Sequence, residues 1–283
     1  AAPGASVLMQ HYVAPRRRAL AFSIRQAGVP LAGLAIGLVA APLLERLSLR
    51  PVLLAIATLI AVLLLASWRT CRALDAPLRS RVATPTGWAA VLAPFRGRPD
   101  LRLVLAQGFA FGFMQNTVFA CLVVTLEHRG GLSLGQAGLA YALMSVSGAL
   151  ARVGWGWCVD RHHNARQILC GIAASSALAT ATLFVAAPAL PFPLILLLCA
   201  IVGATASGWN GIFLADATRR APSAHVSSLS GTLIATNFAG NFVGPVVYGM
   251  LAAHTHHPVT ALAPALTLSC WAALSLYRAG RGP

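Results

Sequence analysis

Eight long stretches, at about 19–43, 50–67, 101–125, 134–157, 166–187, 192–215, 227–252 and 258–277, are nearly free of charge. An α-helix rises about 1.5 Å per residue, so roughly 20 apolar residues cross a hydrocarbon core about 30 Å thick. No water is available there to satisfy backbone donors and acceptors, and a helix satisfies them within one segment. The expected fold is therefore an all-α integral membrane protein with eight transmembrane helices. Composition agrees: 58% of the 283 residues are hydrophobic and 10% charged, with a mean hydropathy of +0.74.

A formal charge of +15 raises nucleic-acid binding as a class. That function needs basic residues gathered on a solvated face with aromatics between them, whereas here they fall in short clusters between apolar runs. No nucleic acid is expected as a partner; the lipid bilayer and a small-molecule substrate are, and the oligomeric state stays open. The six cysteines lie far apart without a CxxC pair, so they read as small core residues and not as a zinc site or disulfide framework.

Local signals mark several helix ends. Pro51 opens the second run, "RRAPSAH" separates the sixth from the seventh, and Ser133 with Gln136 has the S-x-x-Q form of a capping box that starts the fourth. Two motifs are discounted. "GLSLG" at 131–135 matches a hydrolase pattern but lacks the strand-to-helix elbow and the partners that chemistry requires. "HTHH" at 254–257 offers histidines without carboxylate or cysteine, so no metal site is assigned. No cofactor is expected, and no paired carboxylates, HExxH motif or catalytic dyad suggests an enzyme.

Arginine placement sets the expected orientation, because basic loops stay on the cytoplasmic side. With eight spans, one side collects sixteen arginines and the other only Arg46, Arg50 and Arg129. Both ends of the chain are thereby assigned to the cytoplasm of a plasma (inner) membrane. The Arg- and Pro-containing segment 68–100 becomes a cytoplasmic linker, dividing residues 1–67 from a six-helix unit at 101–283.

The remaining two arginines, Arg25 and Arg152, lie inside spans. Arginine at the centre of a bilayer costs about 2.5–3.5 kcal/mol on insertion scales, so it faces a cavity or a partner. Arg25 stands about seven residues past the basic loop, roughly 10 Å deep at 1.5 Å per residue, too deep for easy snorkelling. No acid in the runs lies at matching depth: Glu45 and Glu127 sit at one set of ends, Asp160 and Asp216 at the other. A structural partner elsewhere and an anionic substrate are the two explanations for Arg25. Gln26 beside it, and the amides Gln115, Asn116 and Asn237, are candidate cavity residues. Asn237 and Asn241 fall on one face at i, i+4, and hydrogen bonding between helices is the competing role for every amide.

The stretch "RVGWGWCVDRHHNAR" places Gly156, Asp160, Arg161 and Arg166 in a short loop between the fourth and fifth runs. Glycine permits close helix approach, and a carboxylate at a helix end accepts charge-assisted bonds from arginine or free backbone donors. The pattern G-x-x-x-D-R-x-x-x-x-R resembles the signature loop of the major facilitator superfamily of secondary transporters, with His163 where that family has a second glycine. "RRRALAFSIRQAGVPLAGLAIG" looks like the family's fifth helix, and "GWNGIFLADATRRAP" with "SGTLIATNFAGNFVGPVVYGML" like its tenth and eleventh.

The resemblance implies a helical bundle in which the eight spans are family helices five to twelve and residues 1–12 are the tail of helix four. The first four helices have no counterpart, so a truncated chain is expected. It further implies transport by alternating access and, from the monocarboxylate and oxalate/formate branch, contact between Arg152 and a substrate carboxylate. The expected function is secondary transport of a small organic anion. The alternatives are a truncated, non-transporting membrane protein and a drug or solute exporter; the fifth-helix segment lacks the G-P pair expected of drug/proton antiporters.

Overall fold

A computed structural model describes residues 6, 8, 9, 11–28, 49–75, 95, 97–162, 164–220, 226–255 and 258–280. Among these residues all regular structure is helical. After a 3-10 turn at Pro15–Arg17, helix α1 occupies residues 18–28. There follow α2 (Leu49–Asp75), α3 (Pro99–His128), α4 (Leu134–His162) and α5 (Ala165–Ala186). The chain ends with α6 (Phe192–Ala206), α7 (Asn210–Arg219), α8 (Val226–Thr255), the short α9 (Pro258–Ala261) and α10 (Ala263–Gly280). The rest of the first expected span, with Pro30, Gly33 and Gly37, and most of the linker lie outside the described residues, as does His163.

Six spans among the described residues are long and apolar enough to cross a membrane: 50–70, 99–128, 135–162, 165–189, 192–219 and 259–280. Helix α8 has 30 residues but is not one of them. It carries Asn237, Asn241 and Pro245, which lower its hydropathy, and Asn237 bonds across to α3. Among the described residues, six of the eight expected spans meet this measure; most of the first lies outside the described residues, and α8 falls short of it. The span 192–219 is also broken, by the non-helical turn Ser207–Trp209 between α6 and α7.

Helices α3 and α8 form the most extensive pairing, followed by α4 with α6 and α5 with α10. Small residues set the first pair: a Cβ at Gly244 would lie 2.5 Å from the Phe113 carbonyl oxygen, and one at Gly240 would strike the carbonyl of Phe109. The backbones touch there, and dispersion replaces the hydrophobic effect that lipid cannot supply. The core that results joins α1 to the later helices, with Phe22, Phe111, Trp209, Ile212 and Phe213 in one buried cluster.

Helix ends follow their local chemistry. The Ser133 amide donates to Gln136 Oε1 at 3.1 Å, and the Gln136 amide donates to Ser133 Oγ at 3.3 Å, the reciprocal box expected at the start of α4. At the start of α3, Arg98 grips Asp100 through two bonds of 2.9 and 2.8 Å, which raises the pKa of its guanidinium. "GLSLG" thus supplies a helix cap. His254 Nδ1 lies 2.8 Å from the Met250 carbonyl oxygen, and no metal-binding group of histidine, cysteine and acid occurs among the described residues.

Candidate functional site

The start of α1 meets the end of α4 through Asp160. Its carboxylate oxygens accept the backbone N–H of Ala19 at 3.1 Å and of Leu20 at 2.8 Å. These are donors that the first turn of a helix leaves without intrahelical partners, and the positive end of α1 adds to the attraction. Arg219 of α7 approaches Asp160 at 3.6 Å and donates to the Pro15 carbonyl at 3.1 Å. Three helix ends are therefore joined at one carboxylate with 9% of its side chain exposed.

Closer to Arg25, the contact tightens. A Cβ on Gly156 would lie 2.6 Å from both Cβ and Oγ of Ser23, and one on Gly211 would come within 2.6 Å of the Ser23 backbone nitrogen. Only two glycines allow α4 and α7 to close on Ser23. The other signature residues behave differently from a single cluster. Arg161 stacks over the Trp157 ring at 5.4 Å, and Arg166 donates to the Ala279 carbonyl of α10 at 2.6 Å. The acid's arginine partner is Arg219, which sequence reasoning did not single out because it lies 59 positions farther along the chain.

Beyond Ser23 a cavity of about 310 Å³ opens between α1 and helices α3, α4, α7 and α8. Arg25, Gln26, Gln115, Arg152 and Asn237 line it, together with Trp209, Asn210 and Asn241. Asn116 is not in the lining; it donates to the Asn241 carbonyl at 2.7 Å and ties α3 to α8. Among the described residues Arg25 has no ion pair, and its Nη1 is buried without a hydrogen-bond partner. An unpaired guanidinium beside a cavity is a strong attractor for a carboxylate, which it grips through parallel bonds.

Arg152 plays another part. It is 6% exposed, so it does not snorkel to a surface. Its Nε donates to the Ser207 carbonyl at 2.8 Å, and its Nη1 to the Gln26 carbonyl. The break between α6 and α7 explains the first bond, because an interrupted helix frees carbonyls that must find other donors. Trp155 Nε1 takes the Ala204 carbonyl at 2.9 Å, Trp209 Nε1 takes Ala206 at 3.0 Å, and Asn210 Nδ2 shares Ser207 at 3.3 Å. Arg152 thus clamps α1 to the broken helix while keeping a place in the cavity wall.

The amides are organised too. Gln115 Oε1 accepts from Trp209 Nε1 and Asn210 Nδ2, each at 3.1 Å, so a residue of α3 orients the aromatic floor. Trp209 stacks on Phe111 with centroids 4.6 Å apart. Asn237 Nδ2 donates to the Gly108 carbonyl at 3.3 Å, and Asn241 Nδ2 to Asn237 Oδ1 at 3.4 Å. Trp209 and Asn210 were legible only as polar residues within a span; Gly208 and Gly211 flanking them were the available sign of a break.

A family model described as Major Facilitator Superfamily matches residues 1–277. Two uncharacterised MFS-type transporters of Mycobacterium tuberculosis, from strains CDC 1551 / Oshkosh and ATCC 25618 / H37Rv, are each 29% identical over 180 residues. That match covers 64% of this chain and 39% of each relative, so the chain aligns with about two-fifths of the relatives' length.

Proposed function

The chain belongs to the major facilitator superfamily, and on that premise we propose that it serves secondary transport of a small organic anion, by alternating access, across a plasma membrane. The observation that carries this reading is the Arg25 guanidinium, without an ion pair among the described residues and with its Nη1 buried and unbonded, at a cavity of about 310 Å³. That volume suits a small carboxylate with a few water molecules. Gln115, Asn210 and Trp209 line the cavity with it and supply dipoles and an aromatic face for the rest of the solute.

The mechanism follows from what must break. In the conformation described, Asp160 caps α1, Ser23 sits against Gly156 and Gly211, and Arg152 holds the Gln26 carbonyl. All lie between α1 and the six-helix unit. Rocking these bodies apart opens the cavity toward the Asp160 end, which arginine placement assigns to the cytoplasm. A carboxylate bound at Arg25 removes an uncompensated charge from the interior and so lowers the cost of moving the two surfaces past each other. Among the described residues no acid lines the cavity, so exchange of one anion for another suits the site better than a carboxylate proton relay.

The test is ligand-dependent thermal stabilisation of the purified full-length protein, screened with small carboxylates and their neutral amides. Stabilisation by at least one carboxylate, and not by its amide, is expected. Equal response to both members of every pair would refute an anion site.

A further inference from the structure

A second cavity, of about 200 Å³ and distinct from the first in its lining, lies beside Arg219 of the Asp160 latch. Arg166 and Arg219 face it together with Asp216, and Asn164 leads into α5, whose first turn has no side-chain cap. Asp216 is already paired with Arg220. The cavity is therefore left with two guanidinium groups whose bonds run to the carbonyls of Ala279 and Pro15 and, at 3.6 Å, to Asp160. Its excess is positive.

A groove of about 300 Å³ adjoins it, sharing Gln167 and Gly280. The groove runs between α5 and α10 and is otherwise lined by Cys170, Leu276 and Tyr277. Its apolar surface exceeds its polar surface, the reverse of its neighbour. Tyr277 is 47% exposed, so the groove is open at the surface of the helix bundle. A positively charged recess at the end of a helix pair, continuous with an apolar furrow along that pair, has the two-part chemistry of a phospholipid. The headgroup phosphate is drawn by arginine and the chain by apolar surface.

We propose that this composite site binds one anionic phospholipid, its phosphodiester between Arg166 and Arg219 and an acyl chain along Cys170, Leu276 and Tyr277. Because Arg219 also approaches Asp160, the lipid and the latch share one guanidinium. Lipid occupancy then bears on the closed conformation.

The experiment is native mass spectrometry of the delipidated full-length protein titrated with phosphatidylglycerol, phosphatidylcholine or inorganic phosphate. Phosphatidylglycerol should be retained as a single adduct at least tenfold more readily than phosphatidylcholine. The Arg166→Gln/Arg219→Gln double variant should lose that preference. Cys170→Phe, which fills the groove and leaves both arginines in place, should weaken retention several-fold. Equal retention of the two lipids, or a preference unchanged in the double variant, would overturn the proposal. Displacement of the lipid by millimolar inorganic phosphate, with Cys170→Phe without effect, would show a phosphate site and not a lipid site.

Discussion

Arg152 of α4 donates to the backbone carbonyl of Gln26, the residue that follows Arg25 in α1. The one intramembrane arginine fixes the helix that carries the other. Under the proposed function Arg152 acts as a positioning group and Arg25 is the residue assigned to the solute.

Removing Arg152 should therefore show first in stability. Arg152→Ala strips hydrogen-bond donors from the carbonyls of Gln26 and Ser207. A buried polar group left unsatisfied costs about 1–3 kcal/mol. A lowered melting temperature in detergent is expected, with Arg152→Lys recovering part of the loss. Unchanged melting with abolished transport would instead make Arg152 a substrate contact.

Asp160→Asn keeps the side chain's shape and removes its charge. An anion at a helix N-terminus is worth about 0.3–1 kcal/mol at exposed sites and up to about 2 when partly buried. Ala19 is fully buried in the closed arrangement. Its cysteine variant should be alkylated roughly five- to tenfold faster in the Asp160→Asn background; an equal rate in both backgrounds would show that the carboxylate does not hold α1.

Gly156→Ala places a methyl group 2.6 Å from Ser23. Overpacking of this kind costs about 1–3 kcal/mol. The closed conformation should be disfavoured, and Ser23→Gly in the same chain should restore it. Additive effects of the two substitutions in a double-mutant cycle would argue against direct contact.

Much of this architecture was legible because lipid leaves few choices: long uncharged runs become helices, and Ser133 with Gln136 announced a cap that the structure contains. The signature loop was readable as a pattern, yet its working partner was not. Arg219 is brought to Asp160 by the packing of α7 on α4, and no spacing along the chain encodes that. Likewise, Gln115 and Asn116 are equivalent as sequence. Their 100° separation around α3 sends one to the cavity and the other to α8. The break at Ser207–Trp209 was passed over because 192–215 reads as one uncharged run, with Gly208 and Gly211 as its one local sign.

Whether Arg25 meets the solute is decided by counterflow of labelled small carboxylates in proteoliposomes containing the full-length protein. Exchange by the unaltered chain, reduced at least 100-fold in Arg25→Ala while the variant's melting temperature stays within a few degrees, is the expected result. Undiminished exchange in Arg25→Ala would contradict the account.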